Sequence, residues 1–134
     1  MADQRIKVLI VDDEDGILDY MHKILDLKGY QTFVAIDANT AIAVFEEHRP
    51  DICLLDVHLS NSMLDGVQVL EKFKAVDPGV ECVMVTRITD EDKIKRSGEL
   101  GAAGYLLKPI DTKDVLSMVN DVAAKIKERR SCCG

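Results

Sequence analysis

The chain has 134 residues, of which 47% are hydrophobic and 31% are charged, and its formal net charge is −7. This length suits one domain, and so large a hydrophobic fraction can form a core without disulfides or metals. The negative charge argues against binding to a nucleic-acid backbone as the main activity, and no apolar run approaches the ~18 residues of a membrane span. Residues 1–5 lack the basic-then-apolar pattern of a secretory signal. We therefore expect a cytoplasmic domain over residues 1–128, with 129–134 as a tail or the start of a linker.

Short apolar runs alternate along the chain with longer segments of helical periodicity. The first predicted elements are a strand at Ile6–Val11, a helix bearing Ile17, Met21, Ile24 and Leu25 that stops at Gly29, a strand at Gln31–Ile36, a helix at Thr40–His48 and a strand at Ile52–Leu55. A helix at Gly66–Val76, a strand at Glu81–Val85, a helix at Asp90–Leu100 and a strand at Tyr105–Leu107 follow. The last helix carries a stripe of Val115, Met118, Val119, Val122 and Ile126, with Asp111 as its expected N-cap.

The predicted strands are hydrophobic almost throughout, which is typical of parallel strands that are buried on both faces. Five βα units predict an α/β fold, a doubly wound (βα)₅ domain of the flavodoxin-like type, with helices on both faces of a five-stranded parallel sheet. Ligands of such folds bind at the carboxyl ends of the strands.

The four cysteines form no recognisable binding motif. Cys53 and Cys82 lie within apolar runs and are predicted to be small core residues. Cys132 and Cys133 lack the spacing of metal ligands, and Ser131 does not fit a prenylation box. We therefore expect reduced thiols without a functional role.

Polar residues follow four of the predicted strands at their carboxyl ends. Asp12 and Asp13 come directly after the first strand, and Asp56 follows the third. Thr86 follows the fourth strand and Lys108 the fifth. Each alone has an ordinary explanation as a helix cap, a turn residue or a solvated lysine. Because the ends of these strands can converge on one crevice, we expect three carboxylates, a hydroxyl and an ammonium group to share a site.

Three carboxylates in one crevice would repel one another. Two like charges ~4 Å apart repel by about 1 kcal/mol in water and about 4 kcal/mol at an effective dielectric constant of ~20. Asp12, Asp13 and Asp56 would therefore need a proton or a cation, and oxygen ligands of this kind favour Mg²⁺. Lys108 would offer a point charge to a phosphoryl oxygen. The net charge alone does not decide between such a site and an acidic surface that only keeps the protein soluble.

The same residues fall in the order of a known family. The acidic pair Asp12-Asp13, the single Asp56, Thr86 and the Gly-Ala-Ala-Gly-Tyr-Leu-Leu-Lys-Pro run at 101–109 carry the similarity. The chain resembles the receiver domain of two-component response regulators, of the kind found in chemotaxis regulators, over nearly its whole length.

The resemblance implies a phosphorylation-dependent signalling switch rather than an ordinary enzyme. Asp56 would accept a phosphoryl group from a sensor histidine kinase, a phosphotransfer protein or a small donor such as acetyl phosphate. Asp13, Asp56 and the backbone carbonyl of His58 would bind Mg²⁺ directly, and Asp12 would bind it through water. The domain would catalyse its own phosphorylation and a slow autodephosphorylation.

The resemblance also implies how the switch works. Thr86 and Lys108 would hold phosphoryl oxygens, and the bond between Lys108 and Pro109 would be cis. On phosphorylation Thr86 would move toward the phosphoryl group and the Tyr105 ring would swing inward. The surface of the fourth helix, fifth strand and fifth helix would then change to control an effector or an output domain, and a dimer could form through it.

Two segments depart from the family pattern. The loop after Asp56 is about two residues longer than usual and lacks the usual proline, although Gly66 still suits the turn into the third helix. Arg87 replaces a small residue and either points to solvent, places a second cation at the mouth of the site or partly covers it, and in the last two cases it would also tune the lifetime of the phosphate. His58 and Ile88 occupy positions that tune the lifetime of the phosphate in the family, and we expect Ile88 to prolong it.

Three other functions fit parts of the pattern. A flavodoxin-like electron carrier shares the fold, but the Asp-Asp-Glu-Asp loop at 12–15 would repel the phosphate of FMN. A Mg²⁺-dependent phosphatase with an aspartyl nucleophile would need a further acid or base and a cap, and no segment is long enough for a cap. A receiver that has lost phosphorylation and serves only for docking would still carry the same fold.

Overall fold

The computed structural model describes residues 5–59, 63–87 and 91–133, with residues 131–133 described by their backbone only. The strands in this part of the chain are β1 (Lys7–Val11), β2 (Gln31–Ala35), β3 (Ile52–Asp56), β4 (Glu81–Thr86) and β5 (Gly104–Leu107). The helices are α1 (Asp15–Leu27), α2 (Ala38–His48), α3 (Gly66–Val76), α4 (Glu91–Glu99) and α5 (Thr112–Cys133). Strand and helix alternate as the sequence predicts.

The strands form one parallel sheet in the order β2-β1-β3-β4-β5. The central strand β3 pairs with β1 through Leu54 and Ile10, and with β4 through Leu54 and Val83. Strand order therefore reverses beside β1, which is the point where ligands of doubly wound folds bind. The predicted α/β fold with a five-stranded parallel sheet is confirmed.

Each face of the sheet has its own hydrophobic core, because successive side chains of a strand point to opposite faces. Val8 and Ile10 of β1 pack with Met21 on the face that α1 and α5 cover. Leu9 and Val11 pack on the other face, which α2 and α3 cover. All four of these β1 side chains are fully buried, so the carboxyl end of β1 is held by packing on both sides.

Cys53 and Cys82 are free thiols within the core, as predicted, and they face each other in the register of β3 and β4. Burial raises the pKa of the Cys53 thiol, and the neighbouring Cys82 raises it further. The Cys53 thiol is therefore a poor nucleophile, because little of it is thiolate at neutral pH.

Helix α5 is longer than its apolar stripe predicts, since it continues through residues 129–133. Two ion pairs hold this extension to the amino-terminal edge of the sheet: Arg129 pairs with Glu81 at 2.8 Å and Arg130 with Asp51 at 2.5 Å. Residues 129–133 of the segment predicted as a tail are therefore helical, while the domain boundary at residue 128 stays a prediction. In the part of the chain that is described, no helix has the length and apolarity that crossing a bilayer requires.

Candidate functional site

Three acidic side chains meet at the carboxyl edge of the two adjacent strands β1 and β3. Asp12 directly follows β1, and Asp56 is the last residue of β3. Asp12 is 0% exposed and Asp56 is 4% exposed, while Asp13 is half-buried. One carboxylate oxygen of each residue lies within 4.8 Å of the other two. The structure thus brings together the three carboxylates that the sequence predicts to share a crevice.

Only one of the two oxygens of the Asp12 carboxyl group accepts a hydrogen bond from the described residues. Its Oδ1 accepts a hydrogen bond of 2.9 Å from the Glu14 backbone N–H, whereas its Oδ2 is buried without a hydrogen-bond partner. Lys108 Nζ lies 3.2 Å from Oδ2, an ion-pair distance without hydrogen-bond geometry. Burial raises the pKa of Asp12 to about 6, and the charge of Asp56 adds to the rise, while the Glu14 N–H and Lys108 oppose it.

Lys108 lies at the centre of the acidic group. Its Nζ donates a hydrogen bond of 3.0 Å to Asp56 Oδ2 and lies 3.4 Å from Glu14 Oε1. The side chain is only 10% exposed. Burial lowers the pKa of Lys108, but the hydrogen bond and charge of Asp56, together with the charge of Asp12, outweigh this and raise it overall. The ammonium group is therefore charged at neutral pH. The Lys108–Pro109 peptide bond is cis.

The backbone around Asp56 is packed too closely to admit a side chain at the start of α3. The His58 N–H donates a hydrogen bond of 3.1 Å to Asp56 Oδ1, and the Gly66 N–H donates one of 3.0 Å to the Val57 carbonyl. A Cβ at position 66 would come within 2.0 Å of the Asp56 carbonyl oxygen. Gly66 therefore allows α3 to rest on the end of β3 and fixes the backbone at Asp56.

Thr86 ends β4 beside the acidic group and is 1% exposed. Its hydroxyl donates a hydrogen bond of 2.8 Å to the carbonyl of Arg87. Its own carbonyl accepts one of 2.8 Å from the Lys108 N–H. The backbone of β4 is thus tied to the residue that carries the ammonium group, while the hydroxyl is engaged locally.

Tyr105 of β5 is partly buried and reaches α4. Its hydroxyl donates to the Ile94 carbonyl at 3.1 Å and lies 3.2 Å from the hydroxyl of Ser97, which also donates to Ile94 at 2.7 Å. A Cβ on Gly98 would come within 3.1 Å of the Tyr105 hydroxyl. This group of contacts connects β5 to α4.

The side chains of the remaining predicted residues are exposed or lie outside the described part of the chain. His58 and Arg87 are exposed, and Ile88 lies outside the described residues. Two residues with clear contacts, Glu14 and Ser97, are not among the residues predicted from the sequence. Glu14 belongs to an acidic run next to Asp13, and this position alone does not indicate a contact with Lys108. Ser97 is a small polar residue one turn beyond Ile94, which does not indicate a contact with Tyr105.

The protein is thus a doubly wound domain in which carboxylates and a lysine are grouped at the carboxyl edge of the sheet. The profile of the response regulator receiver domain family matches residues 8–120. This match spans most of the chain, and the chain therefore belongs to that family. Membership implies phosphorylation-dependent signalling in a two-component system.

Curated relatives include proteins of the same size and longer ones. Sporulation initiation phosphotransferase F of Bacillus subtilis is 34% identical over 113 residues, which cover 84% of this chain and 90% of the relative. Chemotaxis protein CheY of Halobacterium salinarum is 28% identical over 87% of this chain and 95% of its own length. The DNA-binding response regulator MtrA of Mycolicibacterium smegmatis is 33% identical over 89% of this chain, which spans 51% of that relative.

Solved structures agree with this assignment. A CheY-like receiver domain protein from Methanospirillum hungatei has a TM-score of 0.86 and 30% identity, over 93% of this chain and 99% of that one. The receiver domain of NtrX from Brucella abortus has a TM-score of 0.81 and 29% identity, over 86% of this chain and 96% of that one.

Proposed function

We propose that the protein is a signalling switch that accepts a phosphoryl group on Asp56 in a Mg²⁺-dependent reaction. One observation carries the proposal: the buried Asp56 carboxylate lies 3.0 Å from the Lys108 ammonium group and beside two further carboxylates. Charge of both signs is thus concentrated at the edge of the sheet where doubly wound folds bind ligands.

The reaction would be an in-line displacement at phosphorus. An oxygen of Asp56 forms the new O–P bond while the P–N bond of a phosphohistidine, or the P–O bond of acetyl phosphate, breaks. The departing imidazole or acetate keeps the electron pair. Lys108 would bind one phosphoryl oxygen and Thr86 another, once the Thr86 hydroxyl exchanges its bond to the Arg87 carbonyl for one to the phosphoryl group. Catalysis of this kind depends on positioning and electrostatics.

The acidic group fits Mg²⁺. The donor set is all oxygen, as this hard cation prefers, and Asp12 Oδ2 is a buried acceptor without a hydrogen-bond partner. Asp12, Asp13, Asp56 and the backbone carbonyl of His58 would hold the ion. When bound, it would supply positive charge to the carboxylates and to the phosphoryl oxygens.

The phosphorylated protein would act on its partner through the surface formed by α4, β5 and α5. Thr86 is joined to Lys108 by a backbone hydrogen bond, and Tyr105 connects β5 to α4. A change at Thr86 could therefore alter the contacts of Tyr105. Partners would be a histidine kinase or phosphotransfer protein on the input side, and an effector or output domain on the other.

Mass spectrometry of the intact protein tests the proposal. With acetyl phosphate and Mg²⁺ the wild-type protein should gain one phosphoryl group, and EDTA should prevent the gain. Asp56→Asn keeps the shape of the side chain without the nucleophile, and it should gain none. Full labelling of the Asn variant would show that another residue is the acceptor.

A further inference from the structure

Glu14 is the one residue of the described acidic surroundings of Lys108 to which the proposed chemistry gives no role. Lys108 Nζ lies 3.0 Å from Asp56, 3.2 Å from Asp12 and 3.4 Å from Glu14. Nζ donates hydrogen bonds to Asp56 and Glu14 and forms an ion pair with Asp12, so three carboxylates surround the ammonium group. The three-carboxylate cluster of Asp12, Asp13 and Asp56 does not include Glu14.

The backbone of Glu14 is fixed beside the site. Glu14 is the N-cap residue of α1, its N–H donates to Asp12 Oδ1 at 2.9 Å, and its carbonyl accepts from the N–H groups of Ile17 and Leu18 at 3.1 Å. Its side chain does not cap the helix, although Asp37 caps α2 with its carboxylate. The carboxylate instead extends to Lys108 and stays 51% exposed at the mouth of the site.

We propose that the Glu14 carboxylate competes with the phosphoryl group for Lys108 and so restrains phosphorylation of Asp56. The inference rests on the proposed function. When the donor arrives, Lys108 must turn an N–H group from a carboxylate to a phosphoryl oxygen. Asp12 and Asp56 would share their charge with the metal, whereas Glu14 keeps a full negative charge directed at the same ammonium group.

The effect of Glu14 is electrostatic and leaves the bonds of the reaction unchanged. Asp56 still forms the O–P bond, and the donor still loses its leaving group with the electron pair. Glu14 neither gives nor takes a proton. Its carboxylate repels the incoming phosphoryl oxygens, and removing that charge should speed phosphorylation. Because Glu14 is half exposed, salt should screen the effect, with a Debye length of about 3 Å at 1 M ionic strength.

The experiment compares apparent second-order rate constants of phosphorylation for the wild type, Glu14→Gln and Asp15→Asn in Mg²⁺. Asp15 is the next residue, is exposed in the first turn of α1 and loses the same charge. With dianionic acetyl phosphate, Glu14→Gln should be roughly two- to fivefold faster than the wild type, the range expected for a partly exposed ion pair. The gain should be smaller with monoanionic phosphoramidate and should disappear at about 1 M salt.

Each other outcome is informative. A slower Glu14→Gln variant would mean that Glu14 orients Lys108 for the reaction, which overturns the proposal. An equal gain in Asp15→Asn, or a gain that does not depend on donor charge or salt, would assign the effect to overall charge or to structure, and also overturns it. A wild-type protein that acquires no phosphoryl group, or an Asp56→Asn variant that acquires one, would instead overturn the proposed function and the inference with it.

Discussion

Asp12 is a buried carboxylate with one oxygen that has no hydrogen-bond partner among the described residues, which is unusual for a buried charge. Buried polar atoms are nearly always hydrogen-bonded, yet Asp12 Oδ2 is not. Burial raises the pKa of Asp12 to about 6, so at neutral pH the group is charged in an environment that disfavours the charge. A bound cation would lower the free-energy cost of keeping the buried Asp12 carboxylate charged. This cost is one reason to expect a cation at the site.

The cost of ionising the buried Asp12 predicts that the stability of the protein depends on pH. Because the pKa of Asp12 is higher in the folded protein than its ordinary value of 3.8, its contribution to stability is present below about pH 4 and is lost as the pH rises through about 6. Asp12→Asn cannot ionise and keeps an acceptor for the Glu14 N–H. In EDTA at pH 8 its free energy of unfolding should exceed that of the wild type by roughly 1–3 kcal/mol.

Urea unfolding at pH 4 and pH 8 measures this difference, which should vanish at the lower pH. Asp26→Asn is the matched control, since Asp26 is an exposed carboxylate of α1, and it should show no such gain. An Asp12→Asn variant that is no more stable than the wild type at pH 8 would contradict the argument.

Among the elements, α4 contributes little to the core. It is a helix of charged residues in which only Ser97 is buried. The hydroxyl of Ser97 donates to the Ile94 carbonyl and lies 3.2 Å from the hydroxyl of Tyr105 in β5. The connection between α4 and the sheet therefore depends strongly on a few hydrogen bonds, which suits an element whose contacts we propose to change on phosphorylation.

Ser97→Ala should weaken this connection. The Ile94 carbonyl would lose the hydrogen bond that Ser97 donates, at a cost of about 0.5–1.5 kcal/mol, and the Tyr105 hydroxyl would lose its contact with the Ser97 hydroxyl. We expect a lower free energy of unfolding and a broader range of Tyr105 ring positions, visible as altered NMR signals of that ring. Ser117→Ala, an exposed replacement on α5, controls for the better helix propensity of alanine. Unchanged Tyr105 signals in Ser97→Ala would show that the hydroxyl does not hold the ring.

The elements also show what sequence can predict and what it cannot. Apolar runs identified all five strands of the described residues. Polar residues at the strand ends predicted the grouping of Asp12, Asp56 and Lys108, because parallel strands end at a common edge. The extension of α5 carries no apolar stripe. Its helix is held by Arg129 and Arg130, whose partners lie 48 and 79 residues away in the chain, so only the folded structure reveals it. The contact of Glu14 with Lys108 has the same character.

At the scale of the whole molecule, the site and the global fold depend on the same strands. Asp12 follows β1 and Asp56 ends β3, and these two strands are buried inner strands between the two cores. Thr86 and Lys108 lie at the ends of β4 and β5. The geometry of the site therefore exists only when the sheet is formed, and a ligand of the site must bind the folded state in preference to the unfolded chain.

Mg²⁺ should accordingly stabilise the entire domain. Above the dissociation constant, a rise from roughly 1 to 10 mM adds about 1.4 kcal/mol to the free energy of unfolding, or roughly 3–6 °C in Tm for a domain of this size. Asp13→Ala removes both a ligand and a repelling charge, so its Tm in EDTA should not fall while its Mg²⁺ increment should shrink. Asp19→Ala, on the exposed face of α1, should retain the full increment. Thermal unfolding followed by circular dichroism measures both quantities, and a wild-type Tm that is the same in EDTA and in Mg²⁺ would show that the acidic group does not bind the ion.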